Sequence, residues 1–177
     1  MTVDTELLRK LADHEEIRQL MFRYCRGIDR QDLELVKSAY HPDSYDDHGH
    51  FRGPGHEFAA FAVQQLVPGG EGSIQHALAN ILIEVDGDQA QVESSFVQIR
   101  VHESDERGVR IFDHMGGRYL DQMERRDGVW RISQRLVVMD WCENHPYNPT
   151  VKPFAGGTTG RSDPSYEFLN LKFAGLL

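Results

Sequence analysis

The sequence predicts an α+β fold in which N-terminal helices pack on a strongly curved antiparallel sheet and enclose a cone-shaped interior. Helical periodicity is confined to roughly the first 70 residues, four long β-type runs follow Ser73, and Asp-Gly turn signals separate two pairs of those runs. Helices first and strands afterwards is the order of an α+β domain, and strands of this length favour curling over a flat sheet.

The first helix is predicted to start at Asp13, which with Glu16 forms a capping-box pattern. Ile17, Leu20, Met21, Tyr24, Cys25 and Ile28 then recur at spacings of three and four, the stripe of a helix with one buried face. A second short helix is expected over Leu33, Leu35, Val36, Ala39 and Tyr40, stopping near His41-Pro42 because the residue before proline avoids helical angles. A turn should lead into Tyr45–Phe51, and Phe58, Phe61, Ala62 and Leu66 give a third stripe that ends before Pro68-Gly69-Gly70.

The β-type runs are Ile74–Val85, Gln89–His102, Val109–Glu124 and Val129–Trp141. Asp86-Gly87-Asp88 and Arg126-Asp127-Gly128 read as hairpins, since Asp-Gly accepts the positive φ angles of tight turns, whereas Glu103–Gly108 reads as a longer loop. Simple alternation groups His76 with Leu78, Asn80 and Leu82, and puts Ala77, Ala79, Ile81, Ile83 and Val85 on the opposite face. That second face is apolar enough to predict a homo-oligomer, dimer or trimer. After Trp141 the chain turns rich in Pro, Gly, Ser and Thr and ends in Tyr166, Phe168, Leu169, Leu171 and Phe173. A single domain over 1–145 is expected, with 146–177 an extension that docks over the pocket mouth or on a neighbouring subunit.

A chain of 177 residues suits one domain with a core that needs no staples. The formal charge of −9, with no clustered Lys/Arg, argues against a nucleic-acid partner. No apolar run is long enough to cross a membrane and the amino terminus lacks a signal-peptide core, so the cytoplasm is the expected location. Cys25 and Cys142 have no metal or redox spacing and are expected to be reduced thiols.

Polar residues within apolar patterns are the candidate site. His76 lies on an apolar strand face, Asp29 borders the buried stripe of the first helix, Tyr24 lies within that stripe, and Arg135 stands in an apolar strand row where a guanidinium needs a partner. Three segments then carry a resemblance: Tyr24-Cys25-Arg26-Gly27-Ile28-Asp29, His76-Ala77-Leu78-Ala79-Asn80 and Glu124-Arg125-Arg126-Asp127-Gly128-Val129-Trp130-Arg131. In order and spacing they resemble the SnoaL-like branch of the nuclear transport factor 2-like superfamily over about residues 13–141.

The resemblance implies the cone fold and, from the eliminating members of that branch, an Asp–His dyad at Asp29 and His76. A tyrosine and an arginine used by the bile acid dehydratase of the branch fall on Tyr24 and Arg135. It further implies a cofactor-independent, dehydratase-like lyase acting on a hydrophobic small molecule, steroid-like, polyketide or aromatic. His76 would be the general base, Asp29 would orient it, and Tyr24 and Arg135 would bind a leaving oxygen or enolate. An isomerase or cyclase using the same dyad, and an accessory β-type subunit of a ring-hydroxylating dioxygenase, are the alternatives. His48, Leu78 and Asn80 are the candidate substrate contacts.

The cluster Asp46, Asp47, His48, His50 and His56 also has metal-ligand residue types, but the Asp-Asp-His-Gly run of the resembled family reads as a structural or pocket-lining turn, so no metal is expected. Asp113 and His114, adjacent on a strand, face opposite ways and cannot pair with each other. No GxSxG elbow or phosphate loop is present, and Cys25 has no visible activating neighbour.

Overall fold

The computed structural model describes residues 4–67, 72–148 and 156–169. Helix α1 spans Thr5–Arg30 and buries the expected stripe from Ile17 to Ile28. Its start differs from the expectation. Asp4 is the N-cap, accepting from the Glu6 and Leu7 amides, because the strong helix formers between Glu6 and Ala12 carry the helix outward. Asp13 is instead buried inside the helix, where its carboxylate accepts from Arg125 at 2.5 Å and from the Trp130 indole at 3.1 Å.

The helix stops where Gln31 adopts a left-handed conformation, φ 52°. Helix α2 follows at once over Leu33–Lys37, capped by Asp32. Gly27 allows this close turn: a Cβ there would lie 2.8 Å from Val36 Cγ2 and 2.9 Å from its backbone nitrogen.

Tyr40 is not helical. Strand β1, Tyr40–Asp47, runs parallel to the last strand, with a register break between Tyr40 and Tyr45. Pro42 occupies that break, where its missing N–H costs no ladder bond. Strand β2, Arg52–Pro54, folds back on β1, and α3, Gly55–Ala62, buries Phe58 and Ala59. Pro68-Gly69-Gly70 lies outside the described residues.

The long strands are β3 (Ser73–Asp86), β4 (Gln89–Val101), β5 (Ile111–Arg126) and β6 (Val129–Pro146). They are consecutive antiparallel neighbours in a six-stranded, unclosed sheet of order β2-β1-β6-β5-β4-β3. The β5–β6 turn has positive φ at both Asp127 and Gly128, and Gly87 supplies it between β3 and β4.

Strand β3 departs from simple alternation. Its register against β4 shifts between Leu78 and Ile81, leaving Ala79 and Asn80 exposed at a bulge. After the bulge Ile81, Ile83 and Val85 pack on the same core as Leu78, and Leu82 is exposed. The expected grouping of Asn80 and Leu82 with His76 therefore does not hold, nor does the apolar outer row of Ile81, Ile83 and Val85: the extra residue reverses the pleat.

The core lies between α1 and the sheet, with Tyr24, Tyr40, Tyr119 and Phe96 meeting edge-on or stacked. The segment 156–169 returns to α1. Asp163 caps the short helix α4, Pro164–Phe168, and Tyr166 donates to Asp32 at 2.9 Å while its ring lies under the Arg26 guanidinium. Leu171 and Phe173 lie outside the described residues. Among the described residues no helix is long and apolar enough to cross a membrane.

Candidate active site

The last turn of α1 and the first half of β3 bring Asp29 and His76 together. Asp29 Oδ1 lies 2.7 Å from His76 Nδ1, and the backbone N–H of His76 donates to both carboxylate oxygens at 3.0 and 3.1 Å. Three contacts fix the carboxylate against one residue, so the imidazole plane and the role of Nδ1 as donor are set by backbone as well as side chain. Nε2 carries no hydrogen bond from any described residue. A cleft of about 240 Å³ touches both residues and is lined by Phe22, Cys25, Arg26, Arg30 and Leu78. Leu78 thus stands beside the dyad, as the alternation places it; Asn80 does not, because of the bulge.

Tyr24 and Arg135 are also brought together, but with each other. The guanidinium lies 4.2 Å from the Tyr24 ring centroid and 4.4 Å from that of Tyr119. Its polar edge is taken by Asp121, Nε at 2.6 Å and Nη2 at 2.8 Å, with Tyr40 Oη at 3.3 Å and Met21 Sδ at 3.4 Å. The arginine side chain has no exposed surface. A role on a leaving oxygen would require it to give up one of these partners; as it stands it is the centre of a buried aromatic and ionic knot. Burial pushes the Tyr24 hydroxyl well above the ordinary tyrosine range, so it serves as a neutral hydrogen-bonding group.

A second histidine–aspartate pair stands on β1. His48 Nδ1 lies 2.5 Å from Asp46 Oδ1, and Asp46 Oδ2 accepts from the Tyr40 hydroxyl at 2.6 Å. Asp46 is wholly buried, and the His48 ring stacks on Phe58 at 3.9 Å and lies 6.2 Å from Tyr119. Burial holds His48 below the ordinary histidine range, with Asp46 pulling the other way.

The remaining acids and histidines of the cluster have separate partners. Asp47 binds Arg52 and the Gly49 amide, His50 lies against Phe61, and His56 meets the Tyr40 carbonyl. Asp113 pairs with His102, and His114 lies 3.4 Å from Glu143. Burial pushes the Cys25 thiol up to about 12, far from a thiolate nucleophile, and Cys142 is exposed.

Sequence reasoning missed Asp121, Tyr119 and Phe96. Tyr119 and Asp121 share a strand face with buried Met123, so a period-two reading carried through that strand would have shown an inward carboxylate opposite Arg135.

Residues 9–136 match the family model of the SnoaL-like domain. Among solved structures, the LinA-type3 hexachlorocyclohexane dehydrochlorinase of Novosphingobium barchaimii LL02 is 23% identical, with a TM-score of 0.66 over 82% of this chain and 99% of that one. A protein of Novosphingobium aromaticivorans DSM 12444 provisionally designated a scytalone dehydratase is 18% identical, with a TM-score of 0.63 over 86% and 95%. A variant of Rv3472 from Mycobacterium tuberculosis, of unknown function, is 26% identical, with a TM-score of 0.58 over 73% and 77%. None of the curated proteins matches the chain.

Proposed function

The chain belongs to the SnoaL-like domain family, and on that premise we propose that it is a cofactor-independent, dehydratase-like lyase with His76 as general base and Asp29 as its orienting partner. The observation that carries this reading is the 2.7 Å contact of Asp29 with His76 Nδ1 at the head of a cleft.

With Nδ1–H committed to Asp29, the lone pair on Nε2 can take a proton from the carbon beside a carbonyl. The electron pair moves into the enolate, then forms the new C=C bond as the β-hydroxyl departs. The imidazolium returns its proton through Nε2 to that hydroxyl, releasing water and regenerating the neutral ring. Asp29 stabilises the imidazolium between these steps. A cleft of about 240 Å³ is smaller than the roughly 300–1,000 Å³ of drug-sized sites, which favours a substrate of one or two rings.

The test uses a β-tetralone bearing a benzylic hydroxyl β to its carbonyl. Loss of water gives β-naphthol, and proton exchange at the α-carbon in D₂O reports deprotonation separately. His76→Ala is expected to slow both by roughly 10²–10⁴-fold, the worth of a general base. Exchange without elimination would move the assignment to an isomerase. Equal rates in the wild type and the variant would remove the dyad.

The same proposal includes self-association through the outer sheet face, where Tyr45, Leu82 and Leu136 are exposed around a groove of about 690 Å³. Leu82→Glu is expected to lower the mass measured by sedimentation equilibrium, and a wild type that sediments as a monomer would end that part of the proposal.

A further inference from the structure

The cleft that touches Asp29 and His76 runs against the charge of the molecule. The chain has a formal net charge of −9, yet the charged side chains among the described residues lining this cleft are Arg26, Arg30 and Asp29. Asp29 is already turned to the backbone N–H and Nδ1 of His76. A recess with an excess of positive charge concentrates anions from solution. Arg135, the cation that the resemblance implies for the site, is committed to Asp121 and has no exposed side-chain surface.

The two cleft arginines differ in what holds them. Arg30 lies in the last turn of α1, where a cation complements the helix dipole. Its Nη1 donates to the Thr158 carbonyl and stands 3.7 Å from Asp163, so it serves the helix end and the C-terminal segment. Arg26 lies one turn earlier. Phe22, Arg26 and Asp29, spaced by four and three, share one face of α1 and all line the cleft. Arg26 Nη2 donates to the Ser165 hydroxyl at 3.1 Å, and its guanidinium stands over the Tyr166 ring, 5.1 Å from the centroid. That ring is itself fixed by its hydroxyl on Asp32 at 2.9 Å. A half-buried guanidinium is thereby oriented in the wall that also holds the dyad.

We propose that Arg26 is a specificity-determining residue that binds a carboxylate of the substrate, so that the dyad acts on a hydroxylated ring ketone carrying a carboxylate. This rests on the reading of the dyad cleft as a substrate site. A guanidinium fork matches a carboxylate in shape as well as charge. Anchoring that end of a small ring compound against Arg26 fixes where its acidic carbon meets His76. Ser165 and Tyr166 are positioning residues for the guanidinium.

The experiment compares β-naphthoate with β-naphthamide, which share rings and shape and differ in charge. β-Naphthoate is expected to bind the wild type about tenfold more tightly, the worth of a hydrogen bond to a charged group, with an advantage that shrinks as salt is raised. It should also move the ¹⁵Nε resonance of Arg26, which keeps the test decisive if a variant misfolds. Arg26→Gln should bind the two probes equally. Ser165→Ala removes a bond from the C-terminal segment to Arg26 but no charge, and keeps the preference, which separates binding from loosening of that segment. His76→Ala, which abolishes exchange under the elimination reading, also keeps the preference, so the two readings fail separately. Equal affinities in the wild type, an unmoved Arg26 resonance, a preference that survives Arg26→Gln or is lost in His76→Ala, or no binding of β-naphthoate overturns the proposal.

Discussion

Arg135 and Asp121 place a full positive and a full negative charge where neither side chain has exposed surface. Such a pair is a weak source of net stability, because desolvation offsets most of the attraction, yet removing one member leaves an uncompensated buried charge. Asp121→Asn is therefore expected to lower unfolding free energy by about 3–5 kcal/mol in urea titration. The joint change Arg135→Met with Asp121→Leu should recover most of that loss. A single variant within about 0.5 kcal/mol of wild type would mean the guanidinium is solvated after all. His48 adds a pH signature. Its folded pKa is depressed by burial, so between the unfolded and folded values the unfolded chain binds a proton that the folded chain does not. Stability should be intact above about pH 6.5 and fall as pH drops through that value. His41, also depressed by burial, contributes in the same direction. Melting temperatures across this range should fall less steeply in His48→Phe; parallel slopes would show that His48 remains hydrated.

Strand β3 shows at the scale of an element how one extra residue decides which side chains reach the core. Deleting Asn80 would remove the extra residue and leave Leu78, Ile81, Ile83 and Val85 on the core side by simple alternation, so each keeps the roughly 1.5–3 kcal/mol that full burial is worth. The deletion variant is expected to fold with the same core row, and Asn80→Ala should change stability by no more than about 0.5 kcal/mol. A deletion variant that is unfolded or aggregated would show that the bulge itself is needed to seat the strand. The same strand explains what was legible beforehand. The Asp127-Gly128 hairpin and the Ile17–Ile28 stripe rest on local chemistry and period, and both stand in the structure. Asp29 and His76 were legible through resemblance, and their side chains lie in contact. The bulge, the parallel β1–β6 pairing and the partners of Asp13 and Arg135 arise from residues distant in sequence. No window of neighbouring residues contains them, and for Asp13 the local capping signal pointed to a helix start that helix-favouring residues upstream overrode.

At the scale of the whole molecule, the C-terminal segment closes on the helix that carries Asp29. Asp163 organises it: Oδ2 accepts from the Thr158 amide at 3.0 Å, Oδ1 accepts from the Ser165 amide at 3.0 Å, and Arg30 Nη1 stands 3.7 Å away. Arg30 also donates to the Thr158 carbonyl, and Arg26 to the Ser165 hydroxyl, so both cations that line the dyad cleft are tied to this segment. Asp163→Ala removes the carboxylate common to these contacts. Limited proteolysis of that variant is expected to cut first between Gly156 and Leu169, and amide exchange should rise over Arg26–Gln31 while the β-sheet stays protected. A variant as resistant as wild type would show that Tyr166 and Asp32 hold the segment unaided. Burial alone would raise the Asp163 pKa, but the Ser165 and Thr158 hydrogen bonds and the Arg30 charge prevail and hold it below the ordinary value. Its contribution is then fully present above about pH 3.9 and fades as pH falls through the folded value. Release of the segment in the wild type therefore belongs to strong acid, below the range in which His48 weakens the fold. Acid titration followed by exchange in Arg26–Gln31 should show the His48-linked loss of stability first and the opening of the dyad cleft only afterwards.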